Sequence, residues 1–212
     1  MDNNEIKAIF DDIGIVGENF DLKSYAVTIP LVNINGIDYI IFEIRSKNLS
    51  QPGEISLPGG KIEKGESRKD AAIRETCEEL LMDKSDMEVI GQADILVTQY
   101  GKIIYPFIIR IKNANKINFS HHEVEKLIYV PIEFFKTSQP KTMKVKVVTE
   151  PLEEFPYDIG LAAKDYYWQS GLLNVYFYKY EEHVIWGLTA KIIHGFINKI
   201  TNDRTEWEYD IN

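Results

Sequence analysis

Residues 60–82 read GKIEKGESRKDAAIRETCEELLM, and the stretch divides in two by its own chemistry. Gly60 and Gly65, with Gly59, Pro58, Gly53 and Pro52 before them, punctuate residues 51–66 too heavily for one regular element, so this part reads as an ordered loop. Ser67 followed by Asp70 has the form of a capping box, and residues 71–82 contain no Gly or Pro and mostly good helix formers. The pattern predicts a helix over 71–82. At about 100° per residue, Glu75, Glu78 and Glu79 share one face of that helix, while Ile73, Cys77 and Leu80 fall on the opposite side. The helix is expected to bury the apolar stripe and display the acids, with Cys77 a structural residue on the buried side.

Carboxylates at i, i+3 and i+4 weaken an isolated helix by roughly 0.2–0.5 kcal/mol per pair, so a compensating positive charge is expected. A hard divalent cation meets that need, because Mg²⁺ or Mn²⁺ prefers oxygen ligands and sits readily between protein carboxylates and substrate phosphates. A merely solvated acidic face is the alternative.

Outward from this core, residues 25–34 and 37–45 are short runs rich in Val, Ile, Tyr and Phe, joined by Asn35-Gly36, a hairpin turn pair. Residues 89–99 and 103–112 read as a strand pair turning at Tyr100-Gly101, and further strands are expected over 127–132, 144–149 and 175–180. Residues 188–200 place Leu188, Ile192, Ile193, Phe196, Ile197 and Ile200 on one helical face. The expected fold class is α+β, a sandwich with a mixed sheet between helices. No linker, repeat or charge block divides the chain, which reads as one domain over 1–212 with a C-terminal extension from about 140 to 212.

Composition excludes several functions. With 24 Lys plus Arg against 33 Asp plus Glu, the net charge of −9 gives no overall field for a polyanion, so nucleic-acid binding is not expected. The single cysteine cannot form an intrachain disulfide. No apolar run reaches about 18 residues, which argues against a membrane span and for a soluble, cytoplasmic protein. The oligomeric state stays open, a homodimer being one option.

Read from Gly60, the stretch resembles the signature of the Nudix hydrolases: Gly, five residues, Glu, seven residues, then Arg-Glu-apolar-any-Glu-Glu-any-Gly-apolar. Gly60, Glu66, Arg74, Glu75, Glu78 and Glu79 fill six of its seven fixed positions. Thr76 replaces an apolar residue, and Leu81 replaces the glycine at the helix exit, so the helix is expected to run further or end differently there. The resemblance implies an α/β/α sandwich and a loop-helix-loop metal site that hydrolyses a nucleoside diphosphate linked to a further group. It implies that Glu75, Glu78 and Glu79 hold Mg²⁺ or Mn²⁺ with the Gly60 carbonyl, that Arg74 orients and neutralises its neighbours, and that Glu66 anchors the loop or completes the outer shell around the metal. Glu75, Arg74 and Glu66 are thus candidate catalytic residues, and Gly59 lets backbone approach the phosphates.

Residues 45–60 also resemble a narrower signature of the coenzyme A pyrophosphatase branch through Arg45, Ser46, Gly53, Pro58, Gly59 and Gly60, although its inner Arg is absent and Leu57 stands in place of Phe. Arg45 and Lys47 are the expected phosphate-binding pair, and coenzyme A or a derivative is the expected small-molecule partner, cleaved to 4′-phosphopantetheine and 3′,5′-ADP. ADP-ribose, dinucleotides or nucleoside triphosphates are alternatives, as is a Nudix-fold regulator without turnover. Residues 184–190 look like the start of that branch's last helix, with Trp186 expected in the core. Nudix enzymes often add an acid near a later strand, which makes Glu123 and Glu125 candidates for a further catalytic carboxylate. The neighbouring His121 and His122 lack a third ligand that would suggest zinc. The aromatic cluster Tyr166, Tyr167, Trp168, Tyr176, Phe177, Tyr178 and Tyr180 is expected to serve core and strand, with adenine stacking as its functional alternative.

Overall fold

Asn35 and Gly36 both take positive φ, 53° and 85°, as a tight two-residue hairpin turn requires. Lys23–Ile34 (β1) and Ile37–Arg45 (β2) accordingly pair antiparallel, with Leu31 opposite Ile40 and Ile34 opposite Ile37. In the computed structural model, which describes residues 22–150 and 168–201, this hairpin is the centre of an eight-stranded sheet. Ile55–Ser56 (β3) and Val124–Pro131 (β8) pair with β2, and Gly59–Lys61 (β4) pairs with β1. Lys102–Ile111 (β7) runs parallel to β1, which makes the sheet mixed, and carries Met87–Gln92 (β5) and Leu96–Val97 (β6) on its other side.

Alternation along the strands divides the core. Ile29, Leu31, Ile40 and Phe42 face one side, whereas Val32 and Ile41 face the other, where Ile73 and Leu80 of the segment formed by the helix Arg68–Glu79 (α1) and its cap cover them. On the first side lie Ile132–Thr137 (α2), Gly187–Ile200 (α3) and a three-stranded antiparallel sheet of Lys141–Val148 (β9), Ser170–Tyr180 (β10) and His183–Trp186 (β11). Tyr176, Tyr178, Ile185 and Ile193 share a cluster with Ile29 and Phe42, so the segment after residue 140 packs onto the main sheet. This is an α+β fold with helices on both faces of a mixed sheet, as expected.

Several details differ from the sequence reading. The strands near 144–149 and 175–180 form their own sheet rather than extending the first. Residues 89–99 break into β5 and β6. The short α2 goes unread because Ile132, Phe134 and Phe135 continue the apolar run of β8.

Helix α1 ends at Glu79, before the expected 82. Leu81 takes φ 48°, and the Met82 amide donates to the Cys77 carbonyl at 3.1 Å, closing the helix in the way a glycine normally allows. A left-handed leucine costs about 1–2 kcal/mol. Thr76, where the signature has an apolar residue, is fully buried: its hydroxyl donates to the Ala72 carbonyl at 2.7 Å and lies 2.8 Å from the Thr28 hydroxyl, which fastens the helix to β1. No helix among the described residues is long and apolar enough to cross a membrane.

Candidate active site

The Ser67 side chain accepts from the Asp70 amide at 3.1 Å and fixes the start of α1. From there the helical repeat carries Arg74, Glu75, Glu78 and Glu79 to the Gly59-Gly60 edge of the sheet. Arg74 is the hub. Its guanidinium donates to both oxygens of Glu66, at 2.9 and 3.2 Å, to the Lys61 carbonyl at 3.3 Å and to Glu78 at 3.2 Å, and pairs with Glu75 at 3.0 Å. These hydrogen bonds hold the Glu66 carboxyl below the usual carboxylate range, and the Glu63 amide donates to Glu66 at 3.2 Å. Glu66 therefore ties the loop to the helix.

The three helix acids occupy different surroundings. Glu78 is exposed beside Arg74. Glu75 is half-buried, and that burial raises its pKa against the opposing hydrogen bond from Arg74. Its carboxylate lies so close to Gly60 that a Cβ on that residue would come within 2.3 Å of Oε1. Glu79 is buried against the sheet, not displayed as the helical wheel suggests, and accepts the Gly59 amide at 2.7 Å. Burial, then the negative charge of Glu43, raises its pKa. Gly59 itself has φ 148°, and a Cβ there would meet the Ala26 carbonyl oxygen at 2.4 Å. Cys77 is only partly buried beside the apolar cluster under α1, and burial raises its thiol pKa.

Glu43 on β2 is the residue that sequence reading missed. It shares the strand face of Ile41, the face that α1 covers, and is 3% exposed with Oε1 buried and without a hydrogen-bond partner. Burial, then the charge of Glu123, raises its pKa, with Arg45 opposing. The signal was present as an acid breaking the apolar run YIIFEI at an inward position.

The loop before β8 brings Glu123 into the same group. The Ser46 hydroxyl donates to the His122 carbonyl at 2.6 Å, and the Ser46 amide donates to the Glu123 carbonyl at 2.9 Å. The charge of Glu123 acts on Glu43, Glu75 and Glu79. Glu125 is instead exposed on β8, without a hydrogen bond or ion pair to the group. His121 and His122 are also exposed. Lys47 is exposed, while Arg45 at the end of β2 donates from Nε to the Ser50 carbonyl at 2.9 Å.

A cleft of about 530 Å³ opens between Ile44, the Gly53–Ile55 segment and the β10–β11 hairpin. Phe177 and Trp186, paired across that hairpin, stack at 5.9 Å and 7°. Trp186 is 43% exposed, so it is not the core residue expected from sequence. Tyr176 and Tyr178 are core, and Tyr166 and Tyr167 lie outside the described residues.

Residues 24–146 match the NUDIX domain family. The chain belongs to the Nudix hydrolases. It is similar to Nudix hydrolase 3 of Caenorhabditis elegans, 26% identical over 204 residues, covering 89% of this chain and 78% of that protein. It is also similar to the peroxisomal coenzyme A diphosphatase NUDT7 of Mus musculus, 24% identical over 157 residues, covering 73% of this chain and 66% of that protein. Among solved structures, a MutT/nudix family protein from Enterococcus faecalis aligns with TM-score 0.49 and 12% identity, covering 95% of this chain and 70% of that one.

A Nudix hydrolase acts on pyrophosphate bonds, and the family generally uses divalent metals. Among the described residues no three Asp, Glu, His or Cys side chains are placed so that they could hold a metal ion as they stand. The donor set nonetheless fits a hard cation: a carboxylate oxygen of Glu43 is buried with no donor, and the charges of Glu43, Glu75 and Glu123 raise the pKa of acids beside them in the network just described. Arg74 pairs with Glu75 and Glu78, while Glu43, Glu79 and Glu123 have no Lys or Arg ion pair among the described residues, which suits a hard cation.

Proposed function

We propose that this Nudix hydrolase cleaves the diphosphate linkage of coenzyme A or a derivative, giving 4′-phosphopantetheine and 3′,5′-ADP, with Mg²⁺ or Mn²⁺ as cofactor. The observation that carries the reading is the buried, donor-poor carboxylate group facing the Gly59-Gly60 edge. Glu75, Glu78 and Glu79 would hold the cation with the Gly60 carbonyl, and Glu123 replaces Glu125 as the candidate acid from the later loop. The bound cation supplies charge neutralisation at the phosphates and an acidified water. Arg74 keeps Glu66, Glu75 and Glu78 in register and limits their mutual repulsion. Glu79, anchored by the Gly59 amide, presents its other oxygen from a fixed position. Glycines at 59 and 60 bring backbone close to the phosphates.

The choice of substrate rests on Arg45 and, separately, on the cleft lined by Ile44, the Gly53–Ile55 segment and the β10–β11 hairpin. Coenzyme A differs from most nucleoside diphosphates by a 3′-phosphate and an apolar pantetheine arm. Arg45 has a guanidinium suited to a phosphate, and the cleft with its Phe177–Trp186 stack falls in the size range of small-molecule sites. The naming of the mouse relative, a coenzyme A diphosphatase, supports the same choice.

The test is product analysis with coenzyme A, 3′-dephospho-coenzyme A, ADP-ribose and a dinucleoside polyphosphate, each with Mg²⁺ and Mn²⁺. Coenzyme A should be cleaved best. Efficient ADP-ribose cleavage with coenzyme A untouched would refute the substrate while leaving the metal argument standing.

A further inference from the structure

The helix acids account for the family signature, but Glu43 stands on β2, outside both the loop and the helix that the signature covers. Its surroundings give it no partner. The strand alternation that sends Phe42 to the far face sends Ile41 and Glu43 toward α1. There its Oε1 is buried with no hydrogen bond, and the residue is 3% exposed. Arg45, two residues along the strand, donates from Nε to the Ser50 carbonyl instead. Glu79, buried at the end of α1, accepts the Gly59 amide, and Glu123 has His122 at the edge of ion-pair range, 3.9 Å away. Arg74 serves Glu66, Glu75 and Glu78. Glu43, Glu79 and Glu123 are therefore three carboxylates from strand, helix and loop with no Lys or Arg ion pair among the described residues. A buried carboxylate without donors is costly to keep, and an apolar residue like Ile41 would fill the same strand face without that cost.

We propose that Glu43 is a cation ligand of this chain, supplying a strand-borne oxygen to a divalent ion shared with Glu79 and Glu123. The proposal rests on the metal-dependent reading above and deepens it. A hard divalent ion such as Mg²⁺ accepts about six oxygens, and the orphaned oxygen of Glu43 provides one from outside the set of carboxylates that Arg74 holds.

The experiment is a calorimetric Mn²⁺ titration of the full chain, with melting temperatures in EDTA and in Mn²⁺, for the wild type, Glu43→Gln and Glu43→Met. Either variant should melt in EDTA at or above the wild-type temperature, because an unpartnered buried carboxyl has gone. Either should bind Mn²⁺ at least about tenfold more weakly or lose one equivalent, and show a smaller Mn²⁺-induced rise in melting temperature. The apolar variant gives the same reading if the amide does not fold. Unchanged affinity and stoichiometry in a folded variant, with a wild type that binds Mn²⁺ and hydrolyses diphosphates, would overturn the role of Glu43 alone. A wild type that neither binds Mn²⁺ nor hydrolyses any diphosphate would overturn the metal-dependent reading and this inference with it.

Discussion

Adjacent glycines at the sheet edge should fail in opposite ways when each is changed to alanine. At Gly60 the added Cβ would stand 2.3 Å from Glu75 Oε1 and 2.4 Å from its carboxyl carbon, where ordinary contact begins at 3.4 Å. The obstacle is the tip of a flexible side chain, so the fold survives, but the carboxylate must retreat by about 1 Å. A displacement of that size in a reacting constellation costs on the order of 10²-fold in rate. At Gly59 the added Cβ would meet the Ala26 carbonyl oxygen at 2.4 Å and the Val27 Cα at 2.5 Å, both backbone, in a residue at φ 148°. Backbone cannot step aside within a paired strand. Strain and overpacking together should cost about 3–5 kcal/mol, which lowers the melting temperature by roughly 6–20 °C for a chain of this size. Circular dichroism melts and kcat/KM on the best diphosphate substrate measure the two effects separately. Gly60→Ala with activity within about threefold of wild type, or Gly59→Ala with an unchanged melting temperature, would refute the placement of this loop against Glu75 and β1.

Other outcomes follow from the same geometry. Glu79→Gln should reduce turnover more than about tenfold without lowering the metal-free melting temperature, as kinetics and thermal melts on one preparation would show; retention of activity would remove Glu79 from the site. Glu43 and Glu79 have pKa values raised from 4.5 to about 8 and about 9 in the folded chain, so their contribution is fully present below about pH 4.5 and is lost as pH rises through those values. The urea midpoint in EDTA should therefore fall between about pH 5 and pH 9, and a flat or rising midpoint would contradict the burial of these acids. Leu81→Gly should raise the melting temperature by about 1–3 °C with activity unchanged, the relief of left-handed strain exceeding the added freedom of the unfolded chain. Arg45→Ala should shrink the preference for coenzyme A over its 3′-dephospho form by about 1–3 kcal/mol, measured as a ratio of kcat/KM values.

Much of this was legible in the sequence because the deciding interactions are local. The 35–36 turn, the Ser67 cap and the helical spacing of Arg74, Glu75, Glu78 and Glu79 each depend on residues within a few positions of one another. Glu43 was not legible as part of the site, since its role depends on which sheet face α1 covers and on a loop far along the chain. A similar distance separates Ser46 from the His122 carbonyl that draws Glu123, rather than Glu125, toward the acids. Trp186 misled for a related reason: its strand pairs with β10, and that register sets its ring on Phe177 at a cleft, outside the core.

The left-handed Leu81 bears on how such sites are found in other sequences. A turn that tolerates leucine at an energetic cost of about 1–2 kcal/mol can drift in letter without drifting in shape, whereas Gly59 and Gly60 face atoms that leave no room for a substituent. A search weighted by the energy of replacement at each position, with the exit glycine scored lightly and the paired glycines heavily, would retain chains like this one that a strict letter pattern discards.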